Sequence, residues 1–403
     1  MITMKKVMII AGGDWQIELV KKAKNMGCQV LCSNLYENSP AFPYADICKV
    51  ANVLDKEKNL EFAREYKPDA VLSDQSDIAI PTVAYLNKAL GLRGISTELA
   101  DIFTDKSMMR QWCKDHNIDI PDFKKCRTIE ETELMLEKHG KIIIKPIDSQ
   151  SARGVFTITD KAKLKELFPI TMSFTNRRKE IMAEEYMDGD EFTIDGLAVN
   201  GVHHPLCISI KEMFPDSKNV SMKQTYSYSH PVYDYDLLRQ TNKALIEKTG
   251  LPFGLTHTEY KFYKGKFYLL EMAARGGGSN LSAKIVPYMS GVDNYAYLIK
   301  NALGEPLDEK SLEHIKFPEN HYVIMRFFGF GEGKVKKIHG VDYLKNSSYL
   351  MDYRIAIKEG DVLHKPQFGS ERHGHFTICG DNKEKVDLEY KTILEKVYVE
   401  FEK

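Results

Sequence analysis

Two glutamates, Glu259 and Glu271, flank a tight turn at Lys264-Gly265, and the pattern predicts a hairpin over residues 255–272. If Glu259 pairs opposite Glu271, their Cβ atoms lie about 5 Å apart on one face. Carboxylates that close repel unless a cation lies between them, and a hard divalent ion, Mg²⁺ or Mn²⁺, accepts such ligands. This register needs a three-residue loop or a bulge at residues 264–266. The other register sends the glutamates to opposite faces, and the sequence leaves both open.

Two lysines could bind phosphate. Lys106 follows Thr104-Asp105, and Lys145 ends the apolar run Ile142–Ile144. A lysine that leaves a strand edge offers a compact charge with three donors. Each lysine taken alone is also compatible with a solvated surface position.

Two further segments stand out, the first as a candidate for phosphate binding. Residues 148–154 (DSQSARG) are mostly small, so their backbone N–H groups could approach phosphate oxygens. Residues 183–191 (AEEYMDGDE) are acidic around a turn. The alternatives are a polar hairpin for the first segment and an ordinary acidic strand and turn for the second.

Arg275 precedes three glycines, Gly276 to Gly278. A forked cation beside free backbone N–H groups suits a tetrahedral or phosphorylated intermediate. His257 lies on the same strand face as Glu259, two residues away, and becomes a candidate for contact with substrate. The alternative for Arg275 is a structural ion pair with a nearby acid.

The elements that position these residues begin with alternating strands and helices in residues 1–100. Strands are predicted at 5–11, 29–31 and 70–72, and helices at 15–26, 56–66 and 77–90, which indicates a parallel sheet covered on both faces. From residue 104 the pattern changes to helices near 105–116 and 129–139 and to strands at 141–146, 154–158 and 181–199. Residues 211–235, polar and rich in tyrosine, are interpreted as a loop over a site. A helix near 236–250 precedes the hairpin, residues 320–403 return to strands, and a final helix is predicted near 383–397.

Composition excludes several classes of protein. The chain has 403 residues, a formal net charge of -1, 43% hydrophobic and 28% charged residues. These values are typical of a globular protein of two or three domains, without a global charge for nucleic acid or a membrane surface. The apolar runs are about five residues long, whereas a bilayer span needs about 20. Seven cysteines without a Cys-x-x-Cys pair are interpreted as reduced thiols in a cytoplasmic protein.

Taken together, these features resemble the ATP-grasp superfamily over nearly the whole chain. Within it they are most similar to carboxylate–amine ligases related to L-amino-acid ligases, through His257-Thr258-Glu259 and the run from Leu270 to Arg275. The resemblance implies a multidomain α/β and α+β protein. Its domains would be an N-terminal parallel-sheet α/β domain at 1–103, a two-lobed ATP-grasp core at 104–302 with a mobile lobe at 115–185, and a C-terminal mixed domain at 303–403 that completes the core.

The resemblance also gives the candidate residues their roles, in one set around ATP and another around metal and substrate. The ATP set comprises the phosphate-binding Lys106, Lys145, Ser149, Ser151 and Gly154, the adenine-binding Glu184, Glu185 and Met187, and the ribose-binding Glu191. The second set comprises the catalytic Arg275, the metal ligands Glu259 and Glu271, and the substrate-binding His257, Gly276, Gly277 and Gly278. Two departures are visible: Ala273 stands where many members have Asn beside the metal, and the phosphate loop has few glycines.

The implied activity joins a carboxylic acid to an amine through an acyl phosphate, with ATP and Mg²⁺ (or Mn²⁺). One alternative is a bicarbonate-activating carboxylase of the biotin-carboxylase type, and another is a non-catalytic nucleotide-binding regulatory protein. The expected partners are small-molecule acids and amines, with no nucleic acid and no membrane. A homodimer stays open because many relatives are dimers.

Overall fold

The N-terminal part of the chain forms a parallel sheet with helices, as its alternating pattern predicts. The structure, a computed structural model, describes residues 4–147, 153–175, 179–215 and 217–402. Four parallel strands lie in the order β3-β2-β1-β4. They are β1 (Lys6–Ile10), β2 (Gln29–Asn34), β3 (Ile47–Val50) and β4 (Ala70–Leu72), and the helices are α1 (Ile17–Asn25), α2 (Lys56–Tyr66), α3 (Ile80–Leu90) and α4 (Thr97–Thr104). The sequence analysis missed helix α4 and β3, an edge strand whose residues are alternately half-buried and exposed.

A second, antiparallel sheet follows in the order β5-β8-β6-β7. Its elements are α5 (Lys106–Asp115), β5 (Phe123–Cys126), α6 (Ile129–His139), β6 (Ile142–Pro146), β7 (Phe156–Ile158), α7 (Lys161–Ser173) and β8 (Ile181–Glu185). Helices α6 and α7 pack on one face of this sheet over buried apolar residues such as Leu136, Ile144 and Leu164. The sheet therefore holds a small core of its own.

A large antiparallel sheet has eight strands, in the order β13-β12-β9-β10-β11-β14-β18-β16. The elements up to its sixth strand are β9 (Glu191–Val199), β10 (Val202–Phe214), β11 (Ser217–Tyr226), α8 (Tyr235–Thr249), β12 (Gly254–Tyr263), β13 (Lys266–Ala273), α9 (Val286–Ser290), α10 (Asn294–Leu303), α11 (Glu309–Glu313) and β14 (Tyr322–Phe327). The interpretation of residues 211–235 as a loop was wrong as far as Tyr226. Residues 211–214 end β10, which pairs with β11, and residues 223–226 of β11 pair with β14 on its other edge. Backbone pairing of this kind does not require an apolar sequence.

The C-terminal part of the chain extends this same sheet. Its elements are β15 (Gly333–His339), α12 (Val341–Asn346), β16 (Leu350–Ile355), β17 (Val362–Leu363), β18 (Gly374–Gly380), α13 (Lys383–Lys396) and β19 (Tyr398–Phe401). Strands β14, β18 and β16 belong to the eight-stranded sheet, and β17-β15-β19 form a small sheet beside it. The division of the chain at residues 103 and 302 stays a prediction. No helix in the described ranges is long and apolar enough to cross a bilayer.

One apolar core joins the N-terminal sheet to the eight-stranded sheet. It includes Val7 and Ile9 of β1, Leu255 of β12, Val323 of β14 and Ile299 of α10. Because these side chains are fully or almost fully buried against one another, the loop that follows β4 is held against the end of β13. This packing brings residues 74–77 next to Arg275.

The buried His203 gives a pH prediction that concerns the fold alone. It is 1% exposed, its Nε2 lies 2.8 Å from Thr256 Oγ1, and burial, aided by His204 and Lys243, lowers its pKa to about 3. The unfolded chain takes up this proton near pH 6.5, so the contribution to stability is fully present above pH 6.5 and is lost as pH falls toward 3. Between pH 7.5 and 5.0 the wild type should lose about 2 kcal/mol more than His203→Gln, at about 1.4 kcal/mol per pH unit.

Urea unfolding of both proteins at the two pH values measures this difference, with replacement of the exposed His314 by Gln as the control. Equal losses for wild type and His203→Gln would show that this ring is not the source of the pH dependence.

Candidate active site

The hairpin of β12 and β13 places Glu259 directly opposite Glu271. The turn itself has only two residues, Lys264 and Gly265, with φ of 47° and 80°, as in a type I′ hairpin turn. The facing register arises elsewhere: a bulge between Glu259 and Tyr260 leaves one residue of β13, Leu270, without a partner. The expected bulge therefore exists, but its predicted position at the turn was wrong, because the type I′ turn already fits the strand twist.

The two candidate phosphate lysines both contact glutamates. Lys106 begins α5, and its Nζ donates a hydrogen bond of 2.8 Å to Glu271 Oε1. Lys145, near the end of β6, lies 2.6 Å from Glu184 Oε2. Burial lowers the pKa of the Lys145 ammonium, and the charge of Lys106 acts in the same direction. The structure thus brings both lysines into one charged network with two of the candidate carboxylates.

Glu184 is held from two sides. Its Oε1 accepts a hydrogen bond of 2.7 Å from Nε of Arg110 on α5, and Lys145 contacts its other oxygen. Burial alone would raise the pKa of Glu184, but Arg110 and Lys145 lower it below its usual value. Arg110 also donates to the carbonyl of Leu270 at 2.7 Å. Arg110 and Glu184, called the clamp below, therefore connect the four-stranded antiparallel sheet to the hairpin that carries Glu259 and Glu271.

Lys211 on β10 is a lysine that the sequence analysis did not single out. Its Nζ lies 2.7 Å from Glu191 Oε1 and 2.8 Å from Glu259 Oε1. Burial alone would lower the pKa of Lys211, but these two carboxylates raise it above its usual value. The candidate ribose carboxylate and the candidate metal carboxylate therefore share one buried ammonium group.

Arg275 follows β13 and forms a two-pronged ion pair with Asp77. Nε and Nη2 of Arg275 each lie 2.8 Å from one oxygen of Asp77, and Nη1 donates to the carbonyl of Gly276. Asp77 belongs to the loop after β4, so this pair connects the N-terminal sheet to the hairpin. Asp77 is thus the nearby acid that the alternative interpretation of Arg275, a structural ion pair, requires.

The backbone amides of Gly276 and Gly277 are engaged by buried carboxylates. Gly276 N donates to Asp74 Oδ1 at 2.7 Å, and Gly277 N donates to Asp195 Oδ1 at 3.0 Å. The expectation that these N–H groups are free was therefore wrong, because two buried acids need donors and the glycine loop supplies them. Substrate contact by Gly276, Gly277 and Gly278 stays a prediction.

The glycine loop yields a stability prediction with a matched control. A Cβ at Gly276 would lie 2.4 Å from Cβ of Ser282 and 2.9 Å from Asp74 Oδ1, whereas a Cβ at Gly278 would meet nothing within 4 Å. Gly276→Ala should cost about 1–3 kcal/mol, the usual range for overpacking, and Gly278→Ala should be close to neutral. Thermal unfolding of the two variants measures the contrast. Equal midpoints would contradict the tight packing around Gly276.

His257 is bound to a buried acid. Its Nδ1 lies 3.0 Å from Asp195 Oδ1, and its Nε2 lies 3.4 Å from Glu259 Oε1. Burial alone would lower the pKa of the ring, but Asp195 raises it to about 9. His257 also pairs in register with Ala273, the position that departs from the family pattern, so a cationic ring lies beside that alanine.

For the remaining predicted nucleotide-binding residues, the structure shows fewer contacts. Ser149 and Ser151 lie outside the described residues. Gly154 has φ of 71°, and a Cβ there would lie 2.8 Å from the ring of Phe174, so glycine is required at this position. Glu185 donates its N–H to the carbonyl of Asp122, and its contact with adenine stays a prediction. Met187 is buried, and its role stays a prediction.

The donor set at the hairpin fits a magnesium ion that arrives with phosphate. Glu259 and Glu271 provide two hard oxygen ligands, and Mg²⁺ in proteins is usually bound by one or two carboxylates together with substrate phosphates and waters. Within the part of the chain that the structure describes, no three His, Cys, Asp or Glu side chains group as a metal site. Glu259 and Glu271 would hold the ion, with the lysines nearby for phosphate oxygens.

The buried acids and one arginine were missed by sequence reasoning. Asp74 accepts hydrogen bonds of 2.6 Å from Ser282 and from Tyr295. No local sequence motif predicts bonds between residues so far apart in the chain. Arg372 lies with its guanidinium 3.8 Å from the centre of the Phe327 ring. Its Nε has no hydrogen-bond partner among the described residues, and burial lowers its pKa to about 10. Among the missed residues, only Lys211 had a signal in the sequence. It lies two residues after Ser209, the spacing of residues on one face of a strand.

Two family models match separate parts of the chain. Residues 139–283 match an ATP-grasp domain, and residues 326–402 match L-amino acid ligase C-terminal domain 2. The first match contains most of the candidate residues, from Lys145 to Gly278. The second covers the strands that extend the eight-stranded sheet.

Two curated relatives are similar to the chain over different lengths. A formate-dependent phosphoribosylglycinamide formyltransferase of Prochlorococcus marinus is 25% identical over 190 residues, which cover 46% of this chain and 48% of that protein. The chain thus spans about half the length of the first curated relatives it matches. An L-arginine-specific L-amino acid ligase of Bacillus subtilis is 24% identical over 323 residues, which cover 76% of this chain and 74% of that protein.

Solved structures share the fold over nearly the full chain. The L-amino acid ligase from Bacillus licheniformis has a TM-score of 0.83 at 21% identity and covers 99% of both chains. The biotin carboxylase domain of the Hydrogenobacter thermophilus 2-oxoglutarate carboxylase has a TM-score of 0.75 at 16% identity, with 98% of this chain and 90% of that chain covered. These likenesses confirm the predicted ATP-grasp fold.

Proposed function

We infer, from the ATP-grasp domain at residues 139–283 and the L-amino acid ligase C-terminal domain 2 at residues 326–402, that this chain is an ATP-dependent ligase that joins a carboxylic acid to an amine. The observation that carries the proposal is the facing pair of Glu259 and Glu271, each bonded to a lysine. Arg275 follows β13, two residues after its end. This arrangement suits transfer of a phosphoryl group, which needs opposed charges held at fixed positions.

The proposed reaction has two steps. A carboxylate oxygen of the acid attacks the γ-phosphorus of ATP, and the bond to ADP breaks to give an acyl phosphate. The amine nitrogen then attacks the acyl carbon, the bond to phosphate breaks, and the nitrogen loses a proton. Activation by ATP supplies the driving force, because a carboxylate by itself is a poor electrophile.

The residues of the chain position and neutralise charge in these steps. Lys106 and Lys145 bind phosphate oxygens, and Arg275 holds two oxygens of the phosphoryl group as charge develops on it. Glu259 and Glu271 would hold Mg²⁺, which would neutralise part of the phosphate charge. His257, fixed by Asp195, presents a cationic ring beside Glu259, where it contacts the acid substrate.

L-amino acids are the substrate class that the comparisons favour, because both the C-terminal family match and the Bacillus subtilis relative carry the name of an L-amino acid ligase. The bicarbonate-activating alternative has support from the fold alone, at 16% identity. The regulatory alternative does not need Glu259, Glu271 and Arg275 together.

The test is a panel of L-amino acids and other carboxylic acids, paired with amines and scored by ADP release and product mass. Amine-dependent ADP release with a condensed product supports the proposal, and Glu271→Gln, which removes one metal carboxylate, should abolish it. ADP release that depends on bicarbonate alone would favour the carboxylase. Nucleotide binding without ADP release on any mixture would favour the regulatory protein.

The proposed cellular compartment follows from the state of the cysteines. All seven cysteines are free and most are buried, as in a reducing compartment, so we place the ligase in the cytoplasm. A homodimer is the proposed assembly, and sedimentation of the purified chain tests it.

A further inference from the structure

Lys211 lies at the centre of the carboxylates that would surround metal and ribose. It is on β10, next to Glu191 on β9, and its side chain reaches across to Glu259 on β12. Glu191 has a second cation, Lys261, at 3.6 Å, and Glu259 has the His257 ring at 3.4 Å. Lys211 is therefore the closest cation to both carboxylates among the described residues.

A divalent ion at Glu259 conflicts with the Lys211 ammonium group. Lys211 donates to Oε1 of Glu259 at 2.8 Å, so an ion that takes this oxygen displaces the ammonium group, and an ion that takes the other oxygen lies close to its positive charge. The same conflict exists at Glu271, where Lys106 lies at 2.8 Å. If metal binds alone, Lys106 loses Glu271, and of its two carboxylates Lys211 keeps only Glu191. Both ammonium groups then remain close to a doubly charged ion, an unfavourable arrangement in a buried site.

Phosphate resolves this conflict. When a triphosphate enters with the metal, the displaced ammonium groups gain phosphate oxygens as partners, and the carboxylates gain the metal. Each ligand therefore removes a penalty from the binding of the other. By thermodynamic linkage the effect is reciprocal, since metal raises nucleotide affinity by the same factor as nucleotide raises metal affinity.

We propose that Lys211 is a positioning residue that makes metal binding depend on nucleotide, by holding Glu259 until phosphate takes over its ammonium group. The inference rests on the proposed function, because it assumes Glu259 as the metal ligand. It assigns a role to a residue outside the set of phosphate lysines. It also requires that metal enters the site as a metal–nucleotide complex.

The experiment measures Mn²⁺ binding to the full chain without nucleotide, by the electron paramagnetic resonance signal of free Mn²⁺. Lys211→Met should bind one Mn²⁺ about tenfold more tightly than the wild type, within the usual range of coupling between sites. Lys211→Gln, which keeps a neutral donor, should lie between them. Both variants should fold, because Lys261 and His257 still face the two carboxylates, and thermal unfolding verifies this.

Lys223→Met is the matched control. Lys223 on β11 forms an ion pair of 2.7 Å with Glu212 and lies against Tyr390, in the C-terminal part of the molecule. It should leave Mn²⁺ affinity unchanged. Adding Glu259→Gln to Lys211→Met should abolish the tight Mn²⁺ site.

The possible outcomes separate this inference from the proposed function. If wild type and Lys211→Met bind Mn²⁺ equally without ADP, while ADP strengthens binding in both, the role of Lys211 is wrong and the metal site stands. If Mn²⁺ fails to bind the wild type even with ADP, the metal site itself is wrong. A wild type that binds Mn²⁺ tightly without nucleotide also overturns the inference.

Discussion

Replacement of Arg275 by Lys should lower the rate of ADP release by on the order of 10²-fold or more, the cost of losing one preorganised donor at a developing charge. Its affinity for Mg-ATP should stay within a few-fold of the wild type. An interaction that strengthens only in the transition state raises turnover and not affinity. Lysine keeps the charge but loses the planar fork that holds two oxygens at once.

The ion pair with Asp77 provides the control for this experiment. Asp77→Asn removes the negative charge and one of the two 2.8 Å contacts, because its amide keeps a single acceptor oxygen, while it leaves the guanidinium in place. If Arg275 served only to bind Asp77, the two variants would show the same loss of thermal stability and near-normal turnover per folded molecule. We expect instead that Arg275→Lys loses much more turnover than Asp77→Asn at comparable stability.

The strand and helix pattern of the first hundred residues could be predicted because it is local. Buried parallel strands such as β1 and β4 are short apolar runs, and the helices between them show their own periodicity. The edge strand β3 escaped because only alternate residues are half-buried. The pairing of β14 with β18, which joins Tyr322 to Gly380, escaped because register between distant segments leaves no trace in periodicity.

The candidate site was predicted in its residue types and only partly in its contacts. The facing of Glu259 and Glu271 depended on a bulge beside Tyr260, and nothing in the hairpin sequence favours a bulge there over one at the turn. Lys211 was missed because its segment is polar and was interpreted as a loop. The acids that engage the glycine amides come from elements some 80 and 200 residues away, beyond the reach of any local motif.

Replacement of Lys145 by Met should weaken the binding of Mg-ATP roughly 10- to 150-fold, since a charge-assisted contact with phosphate contributes about 1.5–3 kcal/mol. Glu184 keeps its bond to Arg110 in this variant, so the clamp remains. The control is Lys161→Met, which removes an exposed lysine of α7 that pairs with Glu137 at 2.6 Å. Calorimetric titration with a non-hydrolysable ATP analogue and Mg²⁺ compares the three proteins.

A double variant distinguishes contact with phosphate from neutralisation of Glu184. If Lys145 acts only by balancing that buried carboxylate, Lys145→Met combined with Glu184→Gln should bind Mg-ATP as tightly as Glu184→Gln alone. If Lys145 binds phosphate directly, the double variant should bind more weakly than Glu184→Gln alone, by about the factor that separates Lys145→Met from the wild type. We expect the second result, because Arg110 already supplies a full positive charge at 2.7 Å from Glu184, and a second cation there is needed only when another anion arrives.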